Sequence, residues 1–137
     1  MTISELARRA QVGTETIRFY EREGLLAQPR KPAQGYRQYE ARHLEQLRFI
    51  RQCRGFGFTL AEAKELLALW ERQERGQQTG QQACGKACEL AQRKVVELRQ
   101  RIAESEALAQ RLEKLLAQAS RDENGECGVM AELGSIH

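Results

Sequence analysis

The sequence predicts a mainly all-α protein, and three observations carry that reading. Of 137 residues, 41% are apolar and 30% charged, with an emphasis on Ala, Leu, Glu, Gln and Arg, which lose least on entering a helix. Only two prolines occur, Pro29 and Pro32, so nothing interrupts long helices after them. A 4-3 repeat of apolar and small residues then runs through 84–119, the pattern of a helix that pairs with another. No apolar run approaches the roughly 18 residues of a membrane span, and Met1-Thr2-Ile3-Ser4-Glu5 lacks a secretory leader's apolar stretch. Four cysteines without such a leader predict reduced thiols in a cytoplasmic protein with no membrane partner, open to metal or redox chemistry.

Charge divides the chain. Residues 1–58 hold 11 Lys and Arg against 6 Asp and Glu, a balance of +5, whereas 59–137 hold 11 against 13, a balance of −2. A basic first half points to a polyanion-binding module joined to a part with a different job.

Residues 4–10 read as a short helix, with Thr2 and Glu5 at capping-box spacing. Gln11-Val12-Gly13 breaks it, Thr14 caps a second helix through Glu23, and Gly24 stands where a left-handed cap closes it. Two short helices around a tight glycine-containing turn form a helix-turn-helix outline. On the second helix Thr16, Arg18 and Tyr20 suit a DNA groove, because Arg pairs with a guanine edge or a phosphate and Tyr hydroxyls meet phosphates. Ile17 and Leu25 are its buried candidates. Residues 29–39 form a basic loop punctuated by the prolines and Gly35 and ending in a short extended segment. As a wing, it would bring Lys31, Tyr36, Arg37 and Tyr39 to the DNA backbone; the alternative is an ordinary loop with two half-buried tyrosines.

Residues 40–54 read as a third helix with Leu44, Leu47, Phe49, Ile50 and Cys53 facing inward. His43, near its start, reads as a surface residue, and Cys53 as core. Gly55-Phe56-Gly57-Phe58 turns the chain, and Thr59 caps a fourth helix through Trp70. The third and fourth helices are the scaffold behind the DNA reader. A fifth helix over 83–119 would be about 54 Å long, more than this chain can cover by itself. A partner helix must bury its stripe, and an identical chain is the simplest candidate, which predicts a homodimer. Cys84 and Cys88 lie one turn apart on that stripe, where they can point at one ion or pack as small apolar residues. Cys127 stands in a polar loop, and 129–133 form a short helix that can fold the loop back. The expected organisation is therefore a DNA-binding domain at 1–70, a linker at 71–82, a dimerisation helix at 83–119, and an effector loop with its helix at 120–137.

Thr16-Ile17-Arg18-Phe19-Tyr20-Glu21, Gly24-Leu25, Gly35-Tyr36-Arg37-Gln38-Tyr39, Phe49-Ile50-Arg51 and Gly57-Phe58-Thr59-Leu60 together resemble the MerR family of transcription regulators, over residues 2–70. Gln11 departs from the family, whose members usually carry Gly in that turn. The resemblance implies a winged helix-turn-helix domain in which Arg18 and Tyr20, with Tyr36, Arg37 and Tyr39, contact double-stranded promoter DNA. It also implies that the long helices pair antiparallel. With Ile102 near the two-fold axis, Cys84 then faces the region of the partner's Ser120, and Cys88 faces the partner's Leu116, beside the partner's loop.

The resemblance to the metal-sensing branch matches Cys84 and Cys127 to two metal-binding positions. Relatives carry a further cysteine where the loop begins, and this chain has Ala119-Ser120 there. Copper- and gold-sensing members hold a monovalent ion linearly between two loop cysteines and lack one at the Cys84 position. The reverse pattern here implies a divalent ion, with Cys88 replacing the missing ligand: Cys84 and Cys88 from one chain, Cys127 from the other. Three thiolates suit mercury or lead, or cadmium or zinc with a fourth ligand from Asp122, Glu123, Glu126 or His137. The family implies repression without metal, and with metal a DNA distortion that lets RNA polymerase align with both promoter elements. A thiol-redox regulator of the same family is the alternative. There is no Ser/His/Asp set and no phosphate-binding Gly-rich loop, so an enzyme is not expected.

Overall fold

The computed structural model describes residues 1–29, 35, 37–119 and 127–135, and these hold six helices and no strand. Helix α1, Ile3–Ala10, starts where the Thr2 hydroxyl accepts the Glu5 N–H at 3.2 Å, satisfying a donor that the first turn leaves free. Gln11 ends it in the left-handed region, φ 58° and ψ 43°. Its side-chain oxygen accepts from the Arg51 guanidinium at 2.6 Å, tying this turn to the third helix. Helix α2, Thr14–Arg22, is capped by the backbone of Gly13 rather than by Thr14, which is its first residue. Gly24, at φ +76°, turns the chain out of it.

Helix α3 spans Ala41–Gly55 and helix α4 Leu60–Glu74. The latter opens on a reciprocal capping box, Glu62 N–H to the Thr59 hydroxyl at 3.1 Å and Thr59 N–H to the Glu62 carboxylate at 2.8 Å. It runs past the expected end at Trp70. Helix α5, Gly80–Ala119, is 40 residues long and begins before the expected residue 83. Thr79 and Gln82 close the same reciprocal box there, at 3.1 Å in each direction. The expected linker is thus mostly helix, and only the turn around Gly76, φ +71°, separates α4 from α5. Helix α6 is Gly128–Gly134.

Two compact units result, Met1–Ala91 and Gln92–His137. In the first, Leu6, Ile17, Leu26 and Leu47 join α1, α2 and α3 in one cluster. Ile50, Ala63, Leu67 and Leu90 join α3, α4 and the start of α5 in another, flanked by Phe49 stacked on Trp70 at 5.0 Å. Tyr20 packs against both clusters. Each fully buried Leu or Ile contributes about 1.5–3 kcal/mol. In the second unit, Val95, Leu98, Ile102, Leu112 and Leu116 are exposed at the predicted spacing. Among the described residues, no helix is long and apolar enough to cross a membrane.

His43 corrects the expectation of a surface residue: it is 9% exposed. Its Nδ1 accepts the Glu40 N–H at 3.0 Å, and its ring meets Tyr39 edge-on at 5.3 Å. Helix capping and ring packing together account for its burial.

Candidate functional site

Spacing along α2 arranges a basic surface. Arg18 and Arg22 are one turn apart and share a face. With Arg37 they line a groove of about 640 Å³ whose other walls include Thr2, Ser4, Gln28 and Tyr39. Arg18 is exposed, and its guanidinium pairs with Glu15 at 2.9 Å. The Arg22 guanidinium lies 6.0 Å from the Phe19 ring centre. Such a groove can accept phosphates from several guanidinium groups at once. Arg22 was absent from the expected contact set, although its position four residues after Arg18 was the available signal.

Tyr39 lies differently from an exposed wing residue, at 4% exposure. Its hydroxyl donates to the Glu21 carboxylate at 2.5 Å. Burial first, and then that hydrogen bond, push the Tyr39 hydroxyl up to about 12. The backbone at Tyr39 is fixed too: its N–H donates to the Met1 carbonyl at 2.7 Å, and its carbonyl accepts from the Met1 ammonium at 2.9 Å. Tyr39 therefore anchors the segment that presents exposed Arg37. Thr16 and Tyr20 are half-buried on α2. Lys31 and Tyr36 lie outside the described residues.

The thiols divide by environment. Cys53 is buried, and burial raises its pKa above the usual thiol value, which suits a core role. Cys84 and Cys88 are exposed on successive turns of α5 with their Sγ atoms 3.7 Å apart. The shared hydrogen bond, reinforced by the charge that Cys84 would carry, raises the Cys88 pKa. Two such thiols fit a soft or borderline cation, which displaces their protons on binding. Cys127 is exposed immediately before α6, in the second unit. No cluster of three or more metal-ligating side chains assembles within the chain among the described residues. Asp122, Glu123, Glu126 and His137 lie outside them.

Residues 1–70 match the profile of the MerR HTH family regulatory proteins, and residues 44–115 match that described as MerR, DNA binding. The HTH-type transcriptional regulator CueR of Yersinia pestis is 37% identical over 138 residues, covering 100% of this chain and 94% of that protein. HmrR of Rhizobium leguminosarum bv. viciae, also an HTH-type transcriptional regulator, is 34% identical, with 97% of each chain covered. Among solved structures, the transcription regulator PbrR691 from Ralstonia metallidurans CH34 in complex with lead(II) superposes with a TM-score of 0.82 at 34% identity, covering 97% of this chain and 98% of that one. A dual-function regulator from Bacillus megaterium MB1 in complex with mercury(II) gives a TM-score of 0.72 at 27% identity, covering 98% and 100%.

Proposed function

The chain belongs to the MerR family of helix-turn-helix regulatory proteins, and from that premise we propose that it represses a promoter without metal and activates it when a divalent thiophilic ion binds. At the coarser level it is a metal-responsive, DNA-binding transcriptional regulator; its curated relatives are regulators rather than enzymes. The observation that carries the finer reading is the exposed Cys84–Cys88 pair, 3.7 Å apart, on the same chain as the arginine-lined α2 groove. Lead(II) and mercury(II), the ions in the two comparison structures, are both soft thiolate-seeking ions.

In this reading the protein is a homodimer whose two α2 helices read half-sites of a two-fold-symmetric promoter element through Thr16, Arg18 and Tyr20. Arg37 holds the flanking phosphates, Tyr39 braces it, and Lys31 and Tyr36 complete the wing. Cys84 and Cys88 of one chain and Cys127 of the other take mercury, cadmium, lead or zinc. A shared ion fixes one arrangement of the paired helices, and binding that arrangement better than the other is what couples metal to DNA distortion. RNA polymerase then aligns with both promoter elements.

The test is transcription in vitro from a promoter carrying the element that the protein selects from random DNA. The parent should activate on addition of at least one of the four ions, and Cys127→Ser should bind the DNA without responding. A parent indifferent to all four ions, or a Cys127→Ser variant that responds like it, would overturn the reading. The proximity of two exposed thiols also favours a thiol-redox regulator as the second reading. Activation that a chelator reverses supports metal sensing, whereas activation that needs an oxidant and tracks disulfide formation supports the redox switch.

A further inference from the structure

Helix α2 buries one side and begins the opposite side with an acid. Ile17 is 0% exposed, and at about 3.6 residues per turn Glu15, two residues before it, points about 200° away. Arg18 and Arg22, three and seven residues after Glu15, fall on the same outward side, and both line the arginine groove. Thr16 and Tyr20 lie to one flank and are half-buried. The Glu15 and Arg18 side chains are 80% and 53% exposed, so their pairing at 2.9 Å leaves both open to a further partner.

A carboxylate on that face needs a chemical reason, because beside phosphates it weakens binding to DNA of any sequence. Glu15 is the second residue of α2, and the first residues of a recognition helix are those that meet base edges in the major groove. The donors exposed there are the amino groups of adenine and cytosine. On adenine the amino group stands beside the N7 acceptor, which repels a carboxylate, whereas cytosine presents its amino group without an acceptor beside it on the same base. We infer that Glu15 determines specificity by accepting a hydrogen bond from a cytosine amino group in each half-site, at a cost in affinity for DNA in general. The inference deepens the promoter-binding reading and rests on α2 entering the major groove.

The operator that the protein selects from random DNA is scanned by single base-pair substitutions, made in both half-sites, against the parent and its Glu15→Gln and Glu15→Ala variants. Binding to unrelated DNA is measured at the same salt concentration. For the parent, replacing one cytosine of the half-site should weaken binding at least about fivefold, the lower end for a base-edge contact. Glu15→Ala should lose that preference and no other, and should hold unrelated DNA more tightly than the parent does. Glu15→Gln should move the preference to adenine, whose amino group and N7 an amide meets together. Glu15 is an exposed first-turn position, and an unchanged urea midpoint would confirm the fold of both variants. Variants that keep every base preference of the parent, or that tighten on operator and unrelated DNA by one factor, overturn the inference and leave promoter binding standing. Loss of preference at every position also overturns it, since Glu15 would then only support the helix. A parent without sequence preference overturns the promoter reading and this inference with it.

Discussion

Tyr39 and Glu21 show how one hydrogen bond organises the arginine-lined groove proposed to meet DNA. The tyrosine hydroxyl donates to a carboxylate that shares the groove with Arg18, Arg22 and Arg37, which keeps Glu21 engaged with Tyr39. Tyr39→Phe should destabilise the protein by about 1.5–3 kcal/mol, the range for a hydrogen bond to a charged group, measurable as a lowered urea midpoint. The hydroxyl titrates near 10 when unfolded and about 12 when folded, so the folded state favours the neutral form. That stability is complete below pH 10 and declines as pH rises from 10 towards 12. Tyr39→Phe should remove this part of the alkaline loss; an unchanged pH profile would mean that Tyr39 does not titrate as described. Arg18 is exposed and pairs only on the surface with Glu15, so Arg18→Ala should leave the urea midpoint within about 0.5 kcal/mol. It should nevertheless weaken operator binding by about 1–3 kcal/mol, as loss of a base or phosphate contact does. Equal operator binding by this variant would remove Arg18 from the interface. Side-chain chemistry made Arg18 legible as a surface cation, whereas burial of Tyr39 was legible only as the alternative to a wing contact and His43 read as a surface residue. Tyr39 is held by Glu21 of α2, a pairing that local pattern does not give, whereas His43 meets Glu40 and Tyr39 at local spacing that does not by itself imply burial.

Elements were readable where their ends carry their own chemistry. Thr2 with Glu5 and Thr59 with Glu62 announce helix starts because a hydroxyl three residues before a free amide satisfies it locally. The boundaries of α4 and α5 were harder. Gln77, Gln78 and Thr79 read as linker, although Thr79 and Gln82 stand at the same capping spacing as Thr59 and Glu62 and close a box at a helix beginning at Gly80. That cap lies one turn before the thiol pair, which makes it testable. Thr79→Ala should cost about 1 kcal/mol of helix stability, concentrated in the first turns. It should raise amide exchange around Cys84 and leave exchange around Ile102 unchanged; uniform exchange would refute a local cap. Gln11 presents the opposite case, a residue whose conformation suits glycine better. Gln11→Gly should relieve roughly 1 kcal/mol of left-handed backbone strain. It also forfeits the hydrogen bond to Arg51, worth about 0.5–1.5 kcal/mol. The Gln11→Ala variant loses the same bond and keeps the strain, so it should unfold at lower urea than Gln11→Gly. The reverse order would show that strain is not what this turn carries.

At the scale of the whole molecule, the proposed homodimer rests on the stripe of α5. Val95, Leu98, Ile102, Leu112 and Leu116 repeat at intervals of a coiled-coil seam, and Ile102, near the middle of the repeat, is 66% exposed in the single chain. A helix in the second unit with so much apolar surface towards water is marginal alone, because helix stability in proteins comes mainly from burying one face. Pairing with a second copy removes that surface from water. Under two-fold symmetry a residue at the centre also meets its own copy, so a single substitution places two like charges together in a desolvated seam. Ile102→Lys should therefore convert the dimer to monomer at micromolar concentration, read by light scattering, while Ile102→Leu keeps the dimer. Operator affinity should fall by at least about 100-fold, since two half-sites would no longer be held by one linked pair. The first unit has its own core and should keep its near-ultraviolet signature in both variants. If Ile102→Lys remains a dimer with parental operator affinity, the seam is not the dimer interface, and Cys84 and Cys88 of one chain could no longer be argued to meet Cys127 of another across it.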